Sequence, residues 1–240
     1  MTYNQKNSKT YPIVLLPAHN EAATVGRVVR QAQALWPSCT AIVIDDCSTD
    51  ATAPIARAAG ATVLPLRIQL GAWGAIQTGL RYALRQGYRT AVTLDADGQH
   101  DPAAVGSLLA PIQADQADVV IGAFPERASR ARRIAWAYFR KLTGLEVEDI
   151  TSGFRAYNHR AMTVLAGSSA TLLDYQDVGV LLLLRRHGLR VVETPVKMQQ
   201  RVIGASRVFR SWWVVGKYML QTSLLSVARF DLQRVSPQDD

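Results

Sequence analysis

Through the first half of the chain, short apolar runs alternate with longer segments whose apolar positions recur at three- and four-residue intervals. The short runs read as strands at 11–17, 41–45, 61–66, 90–94 and 118–122. The longer segments read as helices at 21–35, ended by Pro37, at 50–59, stopped by Gly60, at 73–85, closed by Gly87, and after Pro102. Strands separated by helices of this length predict right-handed βαβ crossovers and an α/β fold with a mostly parallel sheet flanked by helices. Such sheets bind ligands at the carboxyl ends of their strands.

The second half is less regular. Residues 125–133 form a basic, apolar-poor stretch that predicts an exposed loop, and 135–142 has a helical pattern. Residues 149–157 read as an extended or turn segment built around Gly153, 178–186 as a buried helix and 190–195 as a strand. A polar loop over 197–210 leads into a long apolar helix from about 211 to 230. No repeat or linker interrupts the pattern. It predicts a disordered tail over 1–10, one domain over 11–208, and a C-terminal amphipathic helix and tail over 209–240.

With 240 residues, 48% hydrophobic and 19% charged, the chain has the composition of a globular domain, which excludes wholesale disorder. A net charge of +8 suits an anionic partner without choosing among nucleotide, phospholipid surface and nucleic acid. Cys39 and Cys47 are the only cysteines, so a reduced, cytoplasmic setting is expected. The polar first ten residues show no signal peptide, and no uncharged stretch is long enough for a membrane span.

Candidate chemistry falls where the strands end. The run 90–94 leads into Asp95-Ala96-Asp97-Gly98-Gln99-His100. Side chains two apart on a strand share a face about 6–7 Å from one another. Two carboxylates so placed can converge, through a divalent ion, on a diphosphate, and hard oxygen ligands suit Mg²⁺ or Mn²⁺. The plainer alternative is an acidic turn that starts the next helix, with Asp101 as N-cap and Pro102 as first helical residue. After the first strand, Pro17-Ala18-His19-Asn20-Glu21 opens a helix whose N–H groups favour anions, and Asn20 or Glu21 could bind a base or ribose. Capping by Asn20, with Glu21 complementing the helix dipole, is the alternative there. After the second strand, Asp45 and Asp46 repel one another unless donors or cations compensate. Asp46 could accept from the N–H groups of a nucleobase, while Ser48 or Asp50 caps the following helix. Acids after the first, second and fourth of these strands together describe a nucleotide–metal cleft.

In this combination the chain resembles glycosyltransferase family 2, with its GT-A fold, and most closely the dolichyl- or polyprenyl-phosphate mannose synthases. The matching residues are 17–21, 45–50, Gly71-Ala-Trp-Gly-Ala75 with Gly79, 95–100, Thr151-Ser-Gly-Phe-Arg155 and Arg201-Val-Ile-Gly-Ala-Ser-Arg207. The resemblance implies that Pro17, His19, Glu21 and Asp46 line the nucleotide pocket, and that Asp95, Ala96 and Asp97 meet the donor. It places Asp95, Asp97 and Gln99 on the metal, Arg201 and Arg207 against donor or acceptor phosphates, and Arg155 beside the acceptor. There are departures: His19 stands where an aromatic residue is common, Gln69 where an Asn is, and Ala123-Phe124 where many members carry Ser-Arg. Arg201 is followed by Val202, so the Gln-x-x-Arg-Trp signature of processive polysaccharide synthases is absent.

The family inverts the anomeric carbon, which implies in-line displacement of a nucleoside diphosphate from GDP-mannose or a UDP-sugar. The catalytic set so implied is Asp95, Asp97 and Arg201, with Asp177 or Asp174 as a base if the acceptor is a hydroxyl on a saccharide or lipid-linked saccharide. Either acid could equally be a helix cap. The basic tally of the second half favours a polyprenyl phosphate acceptor. A nucleotidyltransferase is a weaker reading, and a non-catalytic nucleic-acid binder would not explain the acids, so nucleic acid is not an expected partner. The helix near the C-terminus, with Trp212, Trp213, Tyr218 and Phe230, suits the membrane interface, placing the enzyme on the cytoplasmic face. The alternative for that helix is packing on the core or on a second copy in a homo-oligomer.

Overall fold

The structure, a computed structural model, describes residues 9, 11–124, 126, 136–138, 140, 147–171, 173 and 178–198. Among them, one seven-stranded sheet is built from β1 Ile13–Ala18, β2 Thr40–Asp45, β3 Thr62–Pro65, β4 Thr90–Thr93, β5 Val119–Ala123, β6 Arg155–Asn158 and β7 Val191–Pro195. The strand order is β3-β2-β1-β4-β6-β5-β7. Helices α1 Val25–Leu35, α2 Thr52–Ala58, α3 Gly71–Arg85, α4 Val105–Gln113, α5 His159–Ala166, α6 Ser168–Thr171 and α7 Val178–Arg186 complete the described elements. None of them is long and apolar enough to cross a membrane.

β1 lies between β2 and β4, parallel to both. Its residues 13–16 are all apolar because both faces of the sheet are covered. Ile13 and Leu15 join Trp73, Ile76 and Leu80 of α3 in one core cluster, whereas Val14 and Leu16 join Val25, Val28 and Val29 of α1 in the other. A one-residue slip of β1 would exchange these sets, and truncating a core side chain such as Leu15 to Ala would cost about 2–5 kcal/mol.

The parallel run 3-2-1-4 matches the expectation from the strand–helix alternation. β6 departs from it, running antiparallel between β4 and β5, with Thr93 opposite Arg155 and Thr90 opposite Asn158. The segment 149–157, read as extended or turn, therefore feeds a sheet strand that its polar composition did not announce. Helix α5 was also not anticipated. Asn158 caps it, its side-chain oxygen accepting from Ala161 N at 2.9 Å, and Ala161, Met162 and Leu165 form its buried face. Because β6 runs back toward the amino ends of the parallel strands, the 147–154 segment that feeds it lies at their carboxyl ends, beside the residues after β4.

α3 fixes the α5–α6 segment to the sheet. Trp73, Gln77 and Arg81 stand four residues apart on one face of the helix. Trp73 Nε1 donates to Ala170 O at 2.8 Å, Gln77 Nε2 to Leu165 O at 2.9 Å, and Arg81 Nε to Ala166 O at 2.8 Å. These bonds satisfy carbonyls near the ends of α5 and α6 that the helices themselves leave open.

Candidate active site

The loops after β1 and β2 are laced together. His19 Nδ1 lies 2.8 Å from Asp46 O; since a carbonyl only accepts, that nitrogen carries the proton and Nε2 is left to accept from Asn20 Nδ2 at 3.4 Å. Asn20 adopts φ +56°, a left-handed conformation that Asn tolerates. Its N–H donates to Ser48 Oγ at 2.9 Å and its side-chain oxygen accepts from Thr49 N at 2.8 Å. Asn20 thus joins two loops and does not cap α1, which starts only at Val25. Glu21 N donates to Thr52 Oγ1 at 2.8 Å, and Ala22 N to Asp50 Oδ2 at 3.2 Å. Asp50 also accepts from Thr52 N at 2.9 Å, as a residue at the start of α2 should. Burial alone would raise the Asp50 carboxyl, but hydrogen bonds from Thr52 and Ala22 outweigh it and hold it below its ordinary value.

Asp45 and Asp46 tolerate one another because each is supplied with donors. Asp45 Oδ1 accepts from Ser48 N at 3.2 Å. Asp46 accepts from Leu70 N at 2.7 Å through Oδ1 and from Gly71 N at 2.9 Å through Oδ2, and is only 3% exposed. It serves as the acceptor for the free N–H groups at the start of α3, a partnership across 25 residues that no local motif announces. In this conformation the 66–70 segment therefore closes over the carboxylate expected to face a nucleobase.

The turn after β4 alternates inward and outward. Ala96 is buried among the residues of α1 and α4, while Asp95 and Asp97 are half-exposed on the other side. Asp97 Oδ1 accepts from Gln99 N at 3.0 Å. His100 Nδ1 accepts from Asp95 N at 3.1 Å, which assigns the ring proton to Nε2, 3.6 Å from Asp95 Oδ2. The imidazole stacks on Phe154 with centroids 5.0 Å apart. His100 is thus a hydrogen-bonding neighbour of Asp95. Asp101 caps the short helical turn at 102–104, accepting from Ala103 N at 2.9 Å, with Pro102 at its first position.

The segment before β6 forms the back wall. Thr93 Oγ1 donates to Gly153 O at 2.6 Å. A Cβ on Gly153 would stand 3.0 Å from Asp95 Oδ1, so the glycine clears the space that the carboxylate occupies. Arg155, expected beside the acceptor, is 0% exposed, with Nε donating to Ser152 O and Nη2 to Ile150 O, each at 2.8 Å. Its strand is flanked by β4 and β5, and its side chain folds back on the loop that precedes it. It braces the wall behind Asp95. Farther along, Glu193 on β7 accepts from Glu148 N at 2.8 Å and Asp149 N at 2.7 Å. Its pKa is raised, by burial first; those two bonds pull it down, and the neighbouring Asp149 and Glu148 charges raise it further.

The donor set around Asp95 and Asp97 fits a hard divalent cation. Asp95 keeps 40% of its side chain exposed beside the space that Gly153 leaves clear. No group of three or more His, Cys, Asp or Glu that could hold a metal is present among the described residues. Mg²⁺ and Mn²⁺ sites on nucleotides commonly need only one or two carboxylates, with phosphate oxygens and water completing the shell. Pro17, His19, Glu21, Asp46, Asp95, Ala96, Asp97 and Gln99 thus all lie at the carboxyl ends of β1, β2 and β4. Arg201, Arg207, Asp174, Asp177, the 127–133 stretch and the C-terminal helix and tail over 209–240 lie outside the described residues.

Residues 13–169 match the model of glycosyl transferase family 2. The chain belongs to this family. Among curated relatives, a family 2 chain of this kind is 28% identical to an undecaprenyl-phosphate mannosyltransferase of Micrococcus luteus, over 90% of this chain and 94% of that protein. It is also 28% identical to a polyprenol monophosphomannose synthase of Mycolicibacterium smegmatis, over 82% of this chain and 80% of that one. A solved glucosyl-3-phosphoglycerate synthase from Mycobacterium tuberculosis, in complex with Mn²⁺, UDP-glucose and phosphoglyceric acid, superposes with a TM-score of 0.64 at 22% identity, covering 90% of this chain and 79% of that one. The last likeness establishes the fold: the mixed sheet flanked by helices is the GT-A fold, and the chain is a glycosyltransferase.

Proposed function

We propose that this chain is an inverting, divalent-metal-dependent glycosyltransferase that moves a hexose from a nucleoside diphosphate to a polyprenyl phosphate at the cytoplasmic face of a membrane. The observation that carries the reading is the assembly of Glu21, Asp46, Asp95 and Asp97 along one edge of the sheet. The names of the two curated relatives support the acceptor class, and GDP-mannose is the first donor to test, with UDP-sugars next.

In this reading Pro17, His19, Glu21 and Asp46 hold the nucleoside, and the base reaches Asp46 as the 66–70 segment shifts. A carboxylate has about four lone-pair directions, so the bonds to Leu70 and Gly71 leave acceptor capacity. Asp95 and Asp97, with Gln99, hold the cation, whose chemistry is to neutralise charge gathering on the departing β-phosphate. The acceptor oxygen attacks the anomeric carbon as the bond from that carbon to the phosphate oxygen breaks, and the electron pair leaves with the nucleoside diphosphate. A polyprenyl phosphate arrives already anionic, so no general base is required. Arg201 and Arg207 supply the cations that steer it, and the apolar residues between Trp212 and Phe230 bring the enzyme to the lipid surface. The catalytic unit spans residues 11–208.

Incubating the purified protein and Mn²⁺ with radiolabelled GDP-mannose or UDP-sugars and undecaprenyl phosphate tests this directly. Label should pass into an organic-extractable, mild-acid-labile product. Transfer to free saccharides only, or release of pyrophosphate from a sugar phosphate and a nucleoside triphosphate, would contradict it.

A further inference from the structure

Beneath the Asp95–Gln99 turn lies a charge that the proposed chemistry does not use. Arg27 stands in the first turn of α1, and its guanidinium lies against Gly98. A Cβ on Gly98 would overlap Arg27 Nη2 and come within 3.3 Å of Cζ. Gly98 also has φ +79°, so glycine is needed there twice: for the backbone conformation and for the arginine beneath it. Arg27 Nη2 is buried without a hydrogen-bond partner among the described residues, and none of their ion pairs includes it. A charged donor without an acceptor costs folding free energy that a methionine or leucine would avoid.

We propose that Arg27 is a positioning residue for the metal turn, resting on the reading of Asp95 and Asp97 as cation ligands. Its guanidinium supports the turn from the side opposite the carboxylates. When the two carboxylates draw together on a cation, the backbone between them tightens and presents a carbonyl to the spare Nη2–H. The bond left unmade in the metal-free state is then made, and cation binding is strengthened by that amount. Two effects compete. A half-buried positive charge repels a second cation, but partners that orient metal ligands are commonly worth 10- to 100-fold in metal affinity, and on this proposal the support dominates.

Titrating Mn²⁺ alone against the purified full chain, with free Mn²⁺ followed by its electron paramagnetic resonance signal, tests this without turnover. Arg27→Met should weaken Mn²⁺ binding about tenfold while leaving the metal-free melting temperature unchanged, since it removes a donor that had no acceptor and keeps the apolar stem. Arg27→Lys should recover part of the loss, because a single ammonium cannot reproduce the guanidinium fork. Gly98→Ala, which presses on the same contact from the other side, should weaken binding as well. Wild-type or tighter Mn²⁺ binding by Arg27→Met, with Asp97→Ala impaired, would overturn the role of Arg27 and leave the metal reading standing. A clear drop in metal-free melting temperature for Arg27→Met would make the residue structural and overturn it too. Undiminished Mn²⁺ binding by Asp97→Ala would remove the metal reading itself and the role of Arg27 with it.

Discussion

The two ends of the sheet treat carboxylates in opposite ways. At the carboxyl ends of β1, β2 and β4, Asp95 and Asp97 are half-exposed, and the Asp95 carboxylate occupies the space that Gly153 leaves clear. At the amino ends of β5 and β7, Asp118 is 1% exposed and its oxygens are taken up by Arg190 N at 2.8 Å and Asn158 Nδ2 at 2.7 Å, with Arg160 Nη1 at 3.7 Å. One end uses a buried acid to join strands; at the other, Asp95 and Asp97 keep contact with solvent. Between Asp95 or Asp97 and Asp118, exposure makes the distinction that residue type alone does not; Asp46, 3% exposed at the carboxyl end, is engaged by Leu70 and Gly71 as Asp118 is by its own donors.

Substitutions at the two ends should therefore fail in different ways. Asp97→Ala should lower sugar transfer at least about a hundredfold with an unchanged melting temperature, because the lost oxygen acts on charge that develops only during transfer. Wild-type turnover by that variant would erase the distinction. Asp118→Ala should lower stability by about 2 kcal/mol in denaturant unfolding, since the Arg190 N–H and the Asn158 amide lose their acceptor. Residual transfer per folded molecule should stay near wild type. A kcat loss as large as that of Asp97→Ala would mean that the amino end is not merely structural.

Smaller effects appear in the pH dependence of stability. Burial would raise the Asp118 carboxyl, but hydrogen bonds from Arg190 and Asn158 and the charges of Arg160 and Arg190 hold it below its ordinary value. A folded-state pKa below the unfolded one gives stability that is present above the unfolded value and lost as pH falls through the folded one. Asp118→Asn should flatten that acid limb. Glu193 is shifted the other way, raised by burial and by neighbouring acids against the pull of two N–H groups. Its contribution is full below the ordinary glutamate range and is lost as pH rises through the folded value. Glu193→Gln gives up one N–H acceptor at every pH, so the slope is the readout: the variant should gain on wild type as pH rises through that window. Parallel slopes would show that Glu193 titrates alike folded and unfolded.

The parallel strands and the acid-bearing turns were legible because they obey short-range rules. Residues 13–16 are uniformly apolar, as a strand covered on both faces must be, and Asp95 and Asp97 stand two apart at the end of such a run. What escaped depends on distant partners. β6 reads Arg-Ala-Tyr-Asn, a polar sequence for a strand inside the sheet, and it is tolerated because Arg155 bonds carbonyls of its own preceding loop and Asn158 caps α5. The family likeness located Arg155 in a motif but not its burial. Asp46 is recognisable as a strand-end acid, yet its engagement by Leu70 and Gly71 follows from the return of the chain at α3. The contact of Arg27 with Gly98 joins a helix to a turn 71 residues farther along the chain, and no local motif marks it.

The central claim, that Asp95 and Asp97 grip the donor diphosphate through a cation, is tested most directly by a crystal structure with Mn²⁺ and a nucleoside diphosphate, read at the manganese absorption edge. One anomalous peak should appear in contact with oxygens of Asp95, Asp97 and the diphosphate, with the base at the edge held by Glu21 and Asp46. A nucleotide bound there with no manganese between it and the two aspartates, or manganese bound away from them, would contradict it.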